Sequence, residues 1–354
     1  MVFDLDNLVR DNIRSLTPYS SARSEFDGAA RIFLDANENS YGSPLSRPYN
    51  RYPDPKQTAV KSKIAKFNDV SPQQIFVGNG SDEAIDLLFR VFCRPAVDNI
   101  IICPPTYGMY EVAANINEVE VRSAPLTAAF ELDLDRIQDT VSKNTKLIFI
   151  CSPNNPTGNL MPRESIIRIL ESFRGIVVVD EAYIHFADGN SLISEIGKFP
   201  NLAVLQTFSK AWGLAGLRVG LVFANEKVIE LLDRIKPPYN ISLVAQELLL
   251  GALKNQRHVE RTIAKIKQER ARLGHRLEQF SFVKVVYPSD ANFVLVKTDS
   301  AAEIYKFLLN EQIVVRNRSN IRFCDGCLRI TIGTPIENDA LIEALEKYEK
   351  SLIH

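Results

Sequence analysis

Short apolar runs alternate with helix-like stretches between residues 72 and 223. Seven of these runs have the length and composition of buried strands and lie at 74–77, 99–103, 118–124, 146–151, 175–179, 202–207 and 219–224. Helical stretches fall between them, and one is predicted at 82–94 with Ser81 as its N-cap. Strands that alternate with helices in this way indicate an α/β fold, in which helices wrap a mainly parallel seven-stranded sheet.

The pattern changes after the segment PPYN at 237–240, because consecutive prolines end a helix. A long stretch at 259–280 then repeats apolar residues three, four or seven positions apart among many charges, which predicts an amphipathic helix. Further strands are predicted at 282–287, 293–297, 313–316 and 327–332, with helices at 301–311 and from Glu337 onward. We therefore predict an N-terminal arm that also contributes to the small domain (1–45), a large domain (46–240), and a linking helix with a smaller α+β domain (241–354).

The composition is that of a globular protein, since 45% of the residues are hydrophobic and 24% are charged. Lys and Arg number 42 against 43 Asp and Glu, and no dense basic block occurs, so nucleic acid is not an expected partner. The N-terminal residues mix acids and bases from Asp4 onward, which argues against a secretion signal. The longest apolar runs, 147–151 and 176–179, are too short to span a bilayer, so no membrane segment is expected.

Five cysteines, an odd number, favour reduced thiols and a cytoplasmic location. Cys324 and Cys327 have a spacing that can serve a metal or a redox pair, but zinc needs three or four ligands and no second such pair is present. We therefore expect a tight turn with reduced thiols there, and no bound metal.

The segment TFSKAWGLAGLRVG at 207–220 follows a predicted strand and contains a single lysine, Lys210, among apolar and small residues. Partial desolvation lowers the pKa of a lysine in such a setting and favours the free amine, which can attack an aldehyde. Ser209 and Arg218 could hold a phosphate, the arginine by a paired fork of donors. Taken alone, a lysine near the end of a strand is usually a solvated surface residue.

Polar residues also end two other predicted strands. Asp180, in DEAY at 180–183, follows the apolar run 176–179, and a carboxylate there needs a cation such as the protonated ring nitrogen of pyridoxal phosphate. Taken alone, Asp180 could instead cap the next helix. Asn155, in SPNNPTG at 152–158, could bond a phenolate oxygen on a ring above the sheet, although polar turns end most strands.

The glycine turn GNGSDE at 78–83 leads from a strand into a helix, as phosphate cradles do. It is not a dinucleotide fingerprint, because Glu83 stands in the place of the third glycine. We expect the backbone amides to face the phosphate and the side chains of Asp82 and Glu83 to point away.

The glycine turn, SPNNPTG, DEAY and TFSK with the later Arg218 occur in an order that resembles the fold-type-I pyridoxal-phosphate aminotransferases. The strings LTPY (16–19), LDANEN (34–39), NRYPDP (50–55) and CLRITIG (327–333) are similar to the histidinol-phosphate aminotransferase family, and the likeness covers essentially the whole chain. Two departures are Ser40, where the family usually has proline, and Trp212, where it usually has Phe or Tyr. Neither lies at a cofactor contact.

The resemblance implies a role for each matching residue. Lys210 would be the Schiff-base lysine and proton shuttle, and three further residues would be catalytic: Asp180 beside the pyridine nitrogen, and Asn155 and Tyr183 at the phenolate oxygen. The remaining cofactor contacts would be Tyr107, which stacks on the ring, and Ser81, the Asp82 backbone, Ser209 and Arg218 at the phosphate. Tyr52 would reach that phosphate from the other subunit of a homodimer with shared active sites. Tyr19, Arg316 and Arg329 would bind the substrate.

The implied reaction is reversible amino transfer between histidinol phosphate and 2-oxoglutarate, giving imidazole acetol phosphate and glutamate, a step of histidine biosynthesis. Arg329 alternates with the apolar Leu328 and Ile330 and should face the site, whereas Arg316 could equally be a surface residue. An aromatic or other amino-acid aminotransferase, or threonine-phosphate decarboxylase, would share the fold. A regulatory protein that binds the cofactor without turnover belongs to a different class, and the intact catalytic residues argue against it.

Overall fold

Two β-sheets, one large and one small, organise the chain. The computed structural model describes residues 3–25 and 30–352, and in that part of the chain the large sheet has seven strands and the small sheet has four. Helices cover the sheets and connect their strands.

The large sheet consists of β1 (Ile75–Asn79), β2 (Asn99–Ile102), β3 (Glu120–Ser123), β4 (Thr145–Cys151), β5 (Ile176–Asp180), β6 (Leu202–Thr207) and β7 (Val219–Ala224). Their order across the sheet is β1-β7-β6-β5-β4-β2-β3. Only β7 runs antiparallel to its neighbours, and the other adjacent pairs are parallel. The prediction of an α/β fold with a mainly parallel seven-stranded sheet is therefore confirmed.

Helices pack on both faces of this sheet, which explains why β5, β6 and β7 are buried along their whole length. The described helices before residue 256 begin and end as follows: α1 (Asp11–Arg14), α2 (Ala22–Glu25), α3 (Thr58–Asn68), α4 (Gly80–Phe92), α5 (Met109–Ile116), α6 (Leu134–Thr140), α7 (Arg163–Ser172), α8 (Glu226–Ile235) and α9 (Leu243–Ala252). Short 3-10 helices occupy Pro72–Gln74, Ile184–Phe186, Leu192–Glu195 and Ala215–Leu217. Each fully buried aliphatic side chain in these layers contributes about 1.5–3 kcal/mol of burial free energy.

The small sheet consists of β8 (Val283–Val286), β9 (Phe293–Thr298), β10 (Arg316–Asn317) and β11 (Cys327–Thr331), in the order β10-β11-β9-β8, and all its pairs are antiparallel. It packs with the long helix α10 (Gln256–Leu277), α11 (Ala301–Asn310) and α12 (Pro335–Ser351) around a separate apolar cluster. The domain boundaries at 45 and 240 stay a prediction, and residues 1–2, 26–29 and 353–354 of those domains lie outside the described residues.

Several predicted elements differ in their bounds by up to three residues, and for two of them the contacts show a local cause. Helix α4 begins at Gly80, so Ser81 lies in its first turn and the N-cap is Asn79. The Glu83 carboxylate accepts a hydrogen bond from the Asn79 amide, which starts the helix before Ser81. The strand predicted at 313–316 is reduced to Arg316–Asn317, because the chain leaves α11 through the left-handed Gln312 (φ 61°) and meets β11 only at Arg316.

The five cysteines are buried and free. Cys324 and Cys327 bracket a turn in which the Cys327 amide donates to the Cys324 carbonyl oxygen at 2.9 Å. Within residues 3–25 and 30–352, no group of three or more His, Cys, Asp or Glu side chains could hold a metal ion. No helix in the same ranges is long and apolar enough to cross a membrane.

Candidate active site

A cavity opens at the carboxyl edge of the large sheet, where parallel α/β sheets usually bind their ligands. Strands β4, β5 and β6 end there, and β1 ends at the same edge because β1 and β6 are both antiparallel to β7. Nine of the residues singled out in the sequence line this cavity: Ser81, Asp82, Tyr107, Asn155, Asp180, Tyr183, Ser209, Lys210 and Arg218. The fold thus brings together side chains that lie up to 137 positions apart, from Ser81 to Arg218.

Asp180 is the last residue of β5 and is only 3% exposed. One carboxylate oxygen accepts a hydrogen bond from the Tyr110 hydroxyl at 2.7 Å, and the other accepts from the Ala182 amide at 3.1 Å. Burial raises the pKa of the Asp180 carboxyl above its usual value, although both hydrogen bonds oppose the shift. No basic side chain of the described chain forms an ion pair with Asp180. A cation placed next to it would find a desolvated, pre-oriented carboxylate.

Tyr110 is a site residue that the sequence analysis missed. Its side chain is fully buried on α5, and its ring stacks on Phe149 with centroids 4.8 Å apart. The ring of Tyr107 meets it edge-on at 5.5 Å. The available signal was a second tyrosine three residues after Tyr107, at the start of a helix that covers the sheet.

Lys210 lies in the loop after β6, with its amine 5.6 Å from the centre of the Tyr183 ring. Partial burial and then the positive charge of Arg329 lower the pKa of Lys210, while the charge of Asp180 opposes the shift. The neutral, nucleophilic amine is therefore more populated than in an ordinary lysine. Burial raises the pKa of the Tyr183 phenol, which keeps that hydroxyl protonated and able to donate.

Arg218 also lines the cavity and lies directly before β7. Its guanidinium donates to Ser209 Oγ at 3.4 Å and to Asp82 Oδ2 at 3.5 Å. Tyr107 donates its hydroxyl hydrogen to Asp82 Oδ1 at 3.2 Å. The expectation that the Asp82 side chain points away is thus wrong, because a cation and a hydroxyl both draw the carboxylate into the cavity. Glu83 does point away, toward Asn240 at 3.0 Å.

Two glycines let the backbone approach this anion-binding end. A Cβ atom at Gly80, which has φ +77°, would lie 2.7 Å from Arg218 Nη2. A Cβ atom at Gly220 would lie 2.2 Å from the Ser81 amide nitrogen. The open backbone at the start of α4 and the guanidinium therefore form one cradle for an anion.

Arg329 connects the small sheet to the cavity. Its guanidinium donates to Asn155 Oδ1 at 2.6 Å and lies over the Phe293 ring, 5.2 Å from its centre. Leu328 and Ile330 are buried on the other face of β11, as the alternating pattern predicts. With its oxygen engaged, Asn155 keeps its amide nitrogen as the donor toward the cavity.

Four residues singled out in the sequence do not line the cavity: Tyr19, Tyr52, Arg316 and Arg329, of which only Arg329 contacts a lining residue, Asn155. Tyr19 is 78% exposed. Tyr52 is half-exposed and stacks on Tyr239 with ring centroids 4.4 Å apart, and its amide donates to Glu38 at 2.7 Å. Arg316 is exposed, but it pairs directly with Arg329 across β10 and β11, so both side chains project from the same face.

The donor set fits pyridoxal phosphate. A buried acid is available for the ring nitrogen, two neutral donors for the phenolate oxygen, an aromatic ring for stacking and a cradle with a serine and an arginine for the phosphate. The remaining group, the Lys210 amine, is the one that can bind an aldehyde covalently.

The model of the aminotransferase class I and II family matches residues 31–345. The chain belongs to this family. It is 51% identical to the histidinol-phosphate aminotransferase of Cytophaga hutchinsonii over 348 residues, which is 98% of this chain and 100% of that protein.

Solved structures of the family share its fold. The histidinol-phosphate aminotransferase of Clostridium acetobutylicum superposes with a TM-score of 0.79 at 27% identity, covering 86% of this chain and 92% of that one. The L-threonine-O-3-phosphate decarboxylase of Porphyromonas gingivalis superposes with a TM-score of 0.74 at 28% identity, covering 85% of this chain and 91% of that one. The predicted resemblance to the pyridoxal-phosphate aminotransferases is confirmed, and with it the cofactor of the family.

Proposed function

We propose that this aminotransferase catalyses reversible amino transfer between histidinol phosphate and 2-oxoglutarate, giving imidazole acetol phosphate and glutamate, as a step of histidine biosynthesis. The observation that carries the proposal is Arg329, an anion-binding side chain held against Asn155 beside the cofactor cavity. The half-identical relative named for this reaction supports it. The five buried free thiols support a reducing compartment, the cytoplasm.

Four residues carry the chemistry in this proposal. When bound, the cofactor withdraws electrons from the substrate carbon that bears the amino group. Lys210 would hold the cofactor until the amine of the substrate takes its place, and the freed Lys210 amine would then accept the proton of that carbon, while Asp180 would keep a positive charge on the ring nitrogen. Asn155 and Tyr183 donate to the phenolate oxygen. Their buried, fixed positions need little reorganisation during the reaction, which is where electrostatic catalysis gains most.

The cofactor is oriented by the other residues of the cavity. Tyr107 covers one face of the ring, and Ser81, the Asp82 amide, Ser209 and Arg218 bind the phosphate. Arg218 would bind the phosphate while it also contacts Asp82, whose carboxylate accepts from the Tyr107 hydroxyl. Held in this way by Tyr107 and the phosphate-binding residues, the cofactor would present its reactive carbon to the substrate in one orientation.

Arg329 and Arg316 bind the anionic groups of the substrates, together with Tyr19 of the N-terminal arm. We expect histidinol to have a kcat/KM at least about 100-fold below that of histidinol phosphate, because two charge-assisted hydrogen bonds to the phosphate are lost. The rate of glutamate formation from 2-oxoglutarate measures kcat/KM for each of the two amines. Equal values for the two amines would contradict the proposal and leave a general aromatic aminotransferase.

Arg329→Ala should weaken both half-reactions, since glutamate and histidinol phosphate each present an anion to it. Arg322→Ala is the matched control, because Arg322 is exposed and its guanidinium lies over Phe323 at 4.9 Å. Loss in the control variant as well would show that a general loss of positive charge is responsible.

The decarboxylase alternative rests on the superposition with the threonine-phosphate enzyme. Its substrate also carries a phosphate, so the histidinol comparison alone does not separate the two. Release of carbon dioxide from threonine phosphate, measured beside the amino-transfer assay, separates the decarboxylase from the aminotransferase. A cofactor-binding protein without turnover would show the visible absorption of bound cofactor but no bleaching by glutamate.

The active sites are proposed to be shared within a homodimer, with Tyr52 reaching the cofactor phosphate of the other subunit. Support comes from Tyr52 itself, which is half-exposed and outside its own cavity. The arm also exposes apolar side chains that a second copy could cover, among them Leu34 at 84% and Tyr41 at 103%. Glu38 fixes the Tyr52 backbone and is bound by Arg23 at 2.7 Å.

Mixing Tyr52→Phe with Lys210→Ala tests this sharing. In a mixed dimer the Tyr52→Phe subunit keeps Lys210 and receives Tyr52 from its partner, so one site is intact. Random exchange at equal amounts should restore about a quarter of the wild-type sites. A mixture with Tyr41→Phe in place of Tyr52→Phe, whose own sites stay complete, gives the reference. No recovery above the Tyr52→Phe protein alone, with exchange verified by native mass spectrometry, would place Tyr52 outside the partner's site.

A further inference from the structure

Three arginines share one face of the small sheet. Arg316 and Arg329 are direct partners across β10 and β11. Arg318 directly follows β10, and its amide donates to the Cys327 carbonyl oxygen at 2.9 Å, which continues the pairing with β11 and favours the same side for residues two apart. The charges of Arg329 and Arg316 both act on Arg318, whose pKa is lowered first by burial and then by these two neighbours.

This arginine cluster, Arg316, Arg318 and Arg329, lacks the acids that normally neutralise such a group. Among residues 3–25 and 30–352, no carboxylate lies within ion-pair distance of any of the three. The Nε atoms of Arg318 and Arg329 are buried and have no hydrogen-bond partner in the same ranges. Repelling charges with unsatisfied buried donors cost stability, and an anionic ligand would offset that cost.

Arg318 lies near the cavity and its backbone is fixed. Tyr183, which lines the cavity, acts electrostatically on both Arg318 and Arg329. The Arg318 amide donates to the Cys327 carbonyl oxygen at 2.9 Å, and the chain between them turns through Cys324. Both thiols are fully buried, so the CDGC segment serves as the packed base of this turn.

The two substrates differ in what they offer to a third arginine. A carboxylate has two oxygens and one charge, and one guanidinium fork satisfies it. A phosphate monoester has three terminal oxygens and carries close to two negative charges at neutral pH. A dicarboxylate has the same total charge but spreads it over two separate groups, so a third guanidinium at one point is matched by the phosphate and not by a single carboxylate.

We infer that Arg318 is a substrate-binding residue that engages the phosphate of the amine substrate and contributes little to glutamate, and so selects phosphomonoester amines. The inference rests on the proposed function, in which one pocket takes both substrates. Arg316 and Arg329 then bind anions in both half-reactions, and Arg318 supplies the contact that only the phosphate uses.

The test compares Arg318→Gln with Arg322→Gln in the enzyme saturated with cofactor. Arg318→Gln should lower kcat/KM for histidinol phosphate by about 10- to 100-fold, the worth of one hydrogen bond to a charged group, and that for glutamate by less than about threefold. Arg322→Gln should change neither. Arg318→Lys should recover part of the loss through charge without the fork. An equal loss of kcat/KM for both substrates would mean that Arg318 has a structural role and acts through Arg329. No loss for either substrate would mean that Arg318 does not contact the phosphate. Either result overturns the inference.

Inhibition of the glutamate half-reaction separates this inference from the proposed function. Inorganic phosphate and glutarate are the two inhibitors. Arg318→Gln should raise the inhibition constant of phosphate about tenfold or more and leave that of glutarate within about threefold. If wild-type enzyme rejects histidinol phosphate, the proposed function fails, and this phosphate-to-glutarate ratio still decides the role of Arg318: an unchanged ratio overturns it.

Discussion

Lys210→Ala is expected to lose at least about 10⁴-fold in turnover, because it removes both the covalent attachment of the cofactor and the general base. The Lys210 amine is the one lysine amine that lines the cavity within the described chain. Borohydride reduction of wild-type enzyme followed by peptide mapping should place the label on the peptide that contains Lys210. The alanine variant should take up no label there.

Lys236→Ala is the matched control for Lys210→Ala. Burial lowers the pKa of Lys236 as well, but its amine is bound to the carbonyl oxygens of Pro55 at 3.0 Å and Pro238 at 3.3 Å, away from the cavity. Its removal should leave labelling and turnover near the wild-type values while lowering stability. Label on Lys236, or on any other lysine, would contradict the assignment of Lys210 as the residue that attaches the cofactor.

Asp180→Asn should lower kcat by about 10²–10³-fold, the usual effect of removing one preorganised electrostatic group. The cofactor should still bind, because its phosphate contacts and Lys210 are untouched. The isosteric amide no longer keeps a positive charge on the ring nitrogen. Because Asp180 is buried and unpaired by any basic side chain of the described chain, its replacement should leave the melting temperature of the cofactor-free protein unchanged or higher.

Tyr110→Phe separates the charge of Asp180 from its orientation. It removes the 2.7 Å hydrogen bond but keeps the carboxylate and the stacking on Phe149. We expect a loss in kcat of about tenfold, smaller than that for Asp180→Asn. Near-normal kcat in Asp180→Asn would instead assign Asp180 to capping the Ala182 amide, the role that its 3.1 Å hydrogen bond already allows.

The strands that form the floor of the site could be predicted closely because they are buried on both faces. Continuous apolar runs such as those of β6 and β7 need both of their faces covered, and a strand inside a helix-covered sheet provides this. Bounds failed where a single backbone or side-chain contact decided them. The Glu83 contact moved the start of α4, and the left-handed Gln312 delayed β10.

The sequence by itself predicted residues at or after strand ends that the structure brings into the cavity, Asp180 and Lys210 among them, because each belongs to a short local motif. Contacts between distant segments needed the tertiary structure. Arg329 and Asn155 are 174 positions apart, and Tyr110 and Asp180 are 70 apart. Such pairs form only when strand order and helix packing bring the two residues together. No local sequence pattern predicts that the two residues of a pair lie close together. For the same reason the sequence did not distinguish Arg318 from a surface arginine. The structure does so, because it pairs the neighbouring Arg316 with Arg329 and leaves the Nε atom of Arg318 buried without a partner.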